Sequence, residues 1–403
     1  MSRRLVVAGA AVVVALVAGA VAVAFRDDGE AGSRRTARAS TSTTSAETVP
    51  KTTSTTAVPT EVAREVSDVE AFVVAARGKV FKRVVPVTLL DGQPFKDRLL
   101  EDAEESRDDL ELAQRALRAV GLIDGGVDLF ETYQRFAGDA VVGFYDDKQG
   151  DLVVRGSGAF TPYVRSVLAH ELTHALDDQW FGLDRPDLEK PENSEAASAF
   201  TALVEGDAVR IEASYRAQLS AADRASASAE EERIGQSIDY SGIPPILPEI
   251  LGWPYQVGPT FVAALLRAGG EPRVDAAFAT PPTTTAEIDA PDRYLRGDRP
   301  VPVAEVPAEG PVLERGVFGH ASLVDTLQPV VSERRADRAA DGWAGDAFVL
   351  WDAGAGRSCL RSTFVMQTPA DLDELRLALV DWAGRRGADV RAADGQVTFT
   401  ACG

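Results

Sequence analysis

Residues 170–174 read His-Glu-Leu-Thr-His, and this run decides how the rest of the chain is read. The sequence holds three histidines, and two of them stand here, four positions apart. Positions four apart share one face of a helix, so both imidazoles can reach a single ion. Glu171 lies about 100° round the same helix, where its carboxylate can contact a water bound to that ion. That arrangement is a zinc hydrolase site in outline.

Outward from this run, Thr161-Pro162 opens the helix, with Thr as N-cap and Pro at the first helical position. Leu168, Leu172 and Leu176 line one face, and the two histidines lie roughly opposite. Just upstream, Val141–Tyr145 and Leu152–Arg155 flank a polar turn and read as a hairpin. Downstream, a second helix runs from Ser194 to Leu219, interrupted by Gly206 alone.

A catalytic zinc needs a third protein ligand and one open position. The glycine and histidine of the metzincin pattern would fall on Asp177 and Trp180, which excludes that pattern. A carboxylate on a following helix remains, giving a His₂Glu set, with Glu192, Glu195 and Glu205 as candidates. Glu205 is preferred because the apolar run Ala202-Leu203-Val204 would bury it; Glu195 is the rival. Gly206 is expected to let this helix approach the metal helix closely. Asp207 is placed to bond the far nitrogen of a ligand histidine. Asp177 and Asp178, three and four positions after His174, either orient a ligand histidine or end the helix in solvent.

The remainder supports an α+β reading. Val62, Val66, Val69, Phe72 and Val73 recur at helical spacing; Val80–Leu90 reads as a strand, and Phe95–Val120 as one or two helices. Ser220–Ser237 reads as an exposed helix or loop. Four prolines make Ile243–Tyr255 a shaped loop, with a helix resuming over Phe261–Leu266. Seven prolines in Pro281–Pro311 mark a seam between two domains. Beyond it, a helix near Gly319–Val331, strands at Ala347–Trp351 and Cys359–Met366, a helix over Ala370–Arg385 and extended segments at Val390 and Val397–Thr400 form a small unit. The two cysteines, Cys359 and Cys402, would lie on neighbouring strands as one disulfide. The chain thus divides into residues 1–25, 26–60, 61–300 and 310–403.

The N-terminus carries Arg3 and Arg4 before an uncharged run of 21 residues, Leu5–Phe25. That length suits a transmembrane anchor with the body outside the cytoplasm, or a signal segment whose cleavage at Ala22-Val23-Ala24 would leave the body secreted. From Ser40 to Thr56, 12 of 17 residues are Ser or Thr, which makes residues 26–60 a disordered tether. The chain has a formal charge of -20, so its strongly acidic body argues against nucleic-acid partners and suits a soluble, exposed domain.

His170–His174 followed by Glu205-Gly206 resembles the gluzincin metallopeptidases. The wider context resembles a bacterial group of exported zincin-like metallopeptidases, through Val142–Asp146, Leu168–Gln179, Leu203–Ala208, Trp253-Pro254-Tyr255 and Pro281–Tyr294. The resemblance implies a zincin-like, mainly helical metallopeptidase domain with a small edge sheet, followed by the C-terminal α+β unit. It implies Zn²⁺ held by His170, His174 and Glu205, with Glu171 moving the proton of the attacking water. Asp207 and Asp178 would support the ligands. Tyr294 is the expected oxyanion stabiliser, with Tyr255, Tyr145 and His320 as alternatives. The substrate would be a peptide or protein, with its backbone paired to the edge strand at Val141–Tyr145. One departure is Ala290-Pro291, where relatives often carry His-Pro. Other readings are a catalytically silent binding module on the same scaffold and a zinc amidase acting on cell-wall material.

Overall fold

The structure, a computed structural model, describes residues 59–101, 107–188 and 194–403. The apolar run at Leu5–Phe25, nearly all of the Ser/Thr-rich tether, and Glu192 lie outside the described residues. Among the described residues, no helix is long and apolar enough to cross a membrane.

Helix α1, Thr60–Arg77, forms because Val62, Val66, Val69 and Val73 make one buried stripe, and it stops at Gly78, whose φ of 69° favours glycine. The following segment is extended over β1, Val87–Leu90, alone. Residues 80–86, expected to be strand, are irregular because the Lys82 and Arg83 N–H groups donate to the Gln179 side chain instead of a strand neighbour. Helices α2 (Gly92–Leu99), α3 (Arg107–Ala119) and α4 (Leu129–Ala140) follow. Strands β2, Gly143–Asp146, and β3, Asp151–Arg155, form the expected antiparallel hairpin. The sheet order is β1-β3-β2, with β1 parallel to β3, so β2 is an edge strand.

Helix α5, Pro162–Phe181, carries the His-Glu-Leu-Thr-His run, and the Thr161 hydroxyl accepts from Val164 N as its cap. Leu168, Leu172 and Leu176 bury into a core with the valines of α1, Leu152 and Val154. Helix α6, Ser194–Gln218, is continuous through Gly206. Helix α7, Ala221–Ser237, fills the segment read as helix or loop. Helix α8, Ile246–Gly269, replaces the shaped loop expected over Ile243–Tyr255. Pro245 and Pro248 sit at its start, where backbone N–H groups lack helical acceptors anyway. Pro254 and Pro259 lie inside and each removes a ladder bond. Burial of Phe261, Val262 and Leu265 against α6 residues such as Ala199 and Leu203 outweighs those losses. The short helices α9 (Glu271–Ala279), α10 (Thr285–Asp289) and α11 (Pro291–Arg296) lead into the C-terminal part.

There β4 (Val312–Gly316), α12 (His320–Leu327), α13 (Glu333–Asp341), β5 (Trp343–Gly354), β6 (Arg357–Met366), α14 (Pro369–Arg386), β7 (Asp389–Ala393) and β8 (Gln396–Cys402) build a five-stranded sheet. Its order is β4-β5-β6-β8-β7 and every pairing is antiparallel. Trp343, Phe364, Trp382 and Phe399 fill its core, which also takes in Ala119 and Val120 from the end of α3. Cys359 faces Cys402 across β6 and β8 and the two are disulfide-bonded. The architecture is therefore mixed α+β, mainly helical, with two small sheets.

Candidate metal centre

Helices α5 and α6 bring three side chains to one point. His170 Nε2 lies 3.1 Å from Glu205 Oε2, and His174 Nε2 lies 3.4 Å from the same oxygen. Their ligand atoms all fall within 4.8 Å of one another, so the group can hold a metal ion. Each of the three residues is at most 1% exposed. Among the described residues, neither ring nitrogen of His174 has a hydrogen-bond partner. A buried imidazole whose nitrogens make no hydrogen bond is costly, and a cation between His174 and Glu205 would satisfy Nε2.

The local charges agree with that arrangement. Burial works against a charge on His170, but bonds from Glu205 and Glu212 outweigh it and push its pKa up to about 10. Glu205 is held below the usual carboxylate range: burial opposes its charge, but the facing imidazoles win. Burial also keeps His174 below its ordinary value. A carboxylate facing two imidazole nitrogens favours a positive charge between them, which is what a bound cation supplies.

Glu171 makes no hydrogen bond to these three side chains, though its charge interacts with those of His170 and Glu205. Its Oε2 accepts the Tyr145 N–H of β2 at 3.0 Å, and burial pushes its pKa up to about 8 against the pull of His170. The Tyr145 hydroxyl donates to Asp178 Oδ2 at 2.8 Å. Tyr145 is therefore stapled to α5 at two points seven residues apart, which lie on one helix face. This ties the edge strand to the metal helix. Asp178 also accepts from Arg83 and from Leu183 N, so it fastens β2 and the loop after α1 to α5 and touches neither histidine.

Asp207 does not bond a ligand histidine. Its Oδ2 lies 2.7 Å from Arg77 Nε, and its Oδ1 accepts from Arg210. Successive helix residues turn by about 100°, so Asp207 stands about 200° from Glu205 and faces away. Glu212, seven residues after Glu205, returns to the same face, and its Oε2 lies 3.4 Å from His170 Nδ1. Glu212 thus faces the far nitrogen of His170, the position expected for Asp207, and the two-turn spacing in the sequence is the signal for it.

Glu195, the rival third ligand, accepts from both the N–H and the hydroxyl of Thr285 and takes no part in the cluster. It lies ten residues before Glu205, about 15 Å along the helix. Tyr294 donates to the Thr280 carbonyl at 2.7 Å and packs edge-on against Phe261; its hydroxyl is committed away from the ligands. His320 pairs with Asp289, Nδ1 to Oδ2, at 2.9 Å. Of the four residues considered for that role, Tyr255 reaches a ligand: its hydroxyl donates to Glu205 Oε1 at 2.8 Å.

Gly206 explains how. A Cβ there would lie 2.3 Å from the Gly258 carbonyl, and a Cβ on Gly258 would lie 2.1 Å from the Ala202 carbonyl. The close approach is between α6 and α8, not between α6 and the metal helix as the sequence suggested. Tyr255 is on α8 three residues before Gly258, so this glycine contact delivers its hydroxyl to Glu205.

No protein-family model matches the chain, and no curated protein matches it. A solved structure from Chloroflexus aurantiacus, described as "a putative hydrolase with a novel fold", aligns with a TM-score of 0.40 and 16% identity, over 60% of this chain and 90% of that one.

Proposed function

We propose that the protein is an extracytoplasmic zinc metallopeptidase of the His₂Glu type, on a zincin-like scaffold tethered to the membrane through its N-terminal segment. One observation carries this reading: two histidines from α5 and a glutamate from α6 converge with their donor atoms 3.1 and 3.4 Å apart, beside Glu171. Donors about 2.0–2.1 Å from a tetrahedral zinc stand roughly 3.3 Å from one another, so the two observed separations fit that ion. The antiparallel edge strand beside the metal helix supports the zincin-like reading. The binding of a substrate backbone along it belongs to the same proposal.

Bound zinc would supply Lewis acidity and lower the pKa of a water. His170, His174 and Glu205 would hold the ion, with Glu212 placed to orient His170 and Tyr255 to orient Glu205. Glu171 would take a proton from water and pass it to a leaving amine. Its bond from the Tyr145 N–H anchors the carboxylate to the edge strand. Every one of these side chains is 7% exposed or less. That enclosure favours one second reading, a metal-stabilised module without hydrolytic activity. Amide bonds of cell-wall material are the other substrate class open to the same chemistry.

Glu171→Gln separates the two main readings. For a peptidase, it abolishes cleavage of a fluorogenic peptide library while the zinc content stays near one per chain. Cleavage by the Gln variant at the wild-type rate would refute the assignment of Glu171. A wild-type protein that binds zinc and cleaves nothing would leave the silent module.

A further inference from the structure

Behind the metal centre lies a second buried polar cluster that the hydrolytic chemistry does not use. Arg77, the last residue of α1, is 1% exposed, and its guanidinium meets carboxylates from three other helices. Its Nε lies 2.7 Å from Asp207 Oδ2 of α6 and 3.2 Å from Asp177 Oδ1 of α5. Its Nη1 donates to Glu271 and Asp275 of α9 at 2.9 and 2.8 Å. Arg210 of α6 closes the cluster onto Asp207 and Glu271.

Two of these partners sit next to metal ligands along the chain. Asp177 is three residues after His174 on α5, and Asp207 is two residues after Glu205 on α6. At 1.5 Å per residue the bridge stands about 3–5 Å along each helix axis from a ligand. The Asp177 and Asp207 side chains are 0% exposed, so without the cation between them two buried carboxylates would face each other. Their repulsion would part α5 from α6 at the level where His174 and Glu205 must meet.

We infer that Arg77 is a positioning residue of the metal centre, holding α5 and α6 at the spacing and rotation that bring His174 Nε2 and Glu205 Oε2 to one ion. This rests on the reading of the centre as a metal site. It assigns a role to a residue 93 positions before His170 that touches neither metal nor substrate.

The test uses the full-length chain with Zn²⁺ and Co²⁺ as probes. Lys at position 77 keeps the charge and loses the planar fork that serves several carboxylates at once. Arg77→Lys should remain folded by circular dichroism, lower the Zn²⁺ affinity by about ten- to hundredfold, and weaken the visible absorption of the Co²⁺ form as its coordination becomes irregular. Should that variant fail to fold, Asp207→Asn carries the same expectation from the α6 side. Val73→Ala, on the same helix and 0% exposed, removes packing against α5 without touching the bridge. It should lower the melting temperature and leave the Zn²⁺ affinity within about twofold of wild type. A folded Arg77→Lys protein with wild-type affinity and Co²⁺ spectrum would overturn the inference. So would Val73→Ala losing as much affinity as Arg77→Lys at an equal loss of melting temperature. A wild-type chain that takes up neither ion would overturn the metal reading itself, and this inference with it.

Discussion

Replacing Gly206 with Ala puts one methyl group between α6 and α8, and its consequence can be worked from the structure. The new Cβ falls 2.3 Å from the Gly258 carbonyl carbon and oxygen, whereas ordinary contact begins at 3.4 Å. The backbones must part by the difference, about 1.1 Å. Arg77 and Arg210 clamp α6 through Asp207, so α8 is the helix that gives way. Tyr255 moves with it, and its 2.8 Å bond to Glu205 stretches to roughly 3.9 Å, outside hydrogen-bond range. Overpacking costs about 1–3 kcal/mol, and losing a hydrogen bond to a charged group about 1.5–3 kcal/mol. The better helix propensity of Ala offsets about 1 kcal/mol of this. The net loss is about 2–5 kcal/mol, and at about 2–4 °C per kcal/mol the melting temperature should fall by roughly 4–20 °C. Zinc affinity, measured by competition with a chromophoric chelator, should fall too. Gly235→Ala is the matched control: that helical glycine has nothing within 4 Å of its added Cβ and should gain slightly in stability. If Gly206→Ala matched that control in melting temperature and zinc affinity, the account of how Tyr255 reaches Glu205 would be refuted.

Three further outcomes are expected. Tyr255→Phe removes only the hydroxyl that donates to Glu205 and should weaken zinc binding about tenfold with little change in fold, as titration calorimetry would measure. Burial pushes the Glu195 pKa up to about 7, against the bonds it accepts from Thr285. Its contribution to stability is therefore fully present below the unfolded value near 4.3 and is lost as pH rises through about 7. Glu195→Gln should accordingly gain melting temperature relative to wild type as pH rises from 4.5 to 8, and parallel profiles would contradict the assignment. Reducing the Cys359–Cys402 disulfide releases a loop closed over a separation of 43 residues. The chain-entropy relation puts that at about 4 kcal/mol, which calorimetry with and without reductant would detect.

How much of this could be read from the chain depended on sequence distance. The candidate ligand pair His170 and His174, with Glu171 between them in the chain, follows from helical periodicity alone, because four residues span about one turn wherever the helix sits. The capped start of α5, the β2–β3 hairpin and the pairing of Cys359 with Cys402 are also signalled by residues close in sequence or by simple counting. Glu205 was legible because it ends an apolar run that had to be buried. The chain also pointed to the wrong supports. Asp207 is close in sequence to Glu205 but turned about 200° away from it, and Glu212, two turns on, faces His170 instead. Tyr294, the expected oxyanion stabiliser, bonds the Thr280 carbonyl, and the prolines of 243–255 suggest a loop where the structure has the helix that carries Tyr255 to Glu205. Which face of α6 meets α8, which tyrosine arrives there, and that Arg77 crosses the interior to join Asp177 to Asp207 were settled by packing between segments 50 to 130 residues apart. Those choices come from burying the most apolar surface while leaving no buried charge unpaired. They are properties of the whole assembly of helices, and no local pattern in the chain encodes them.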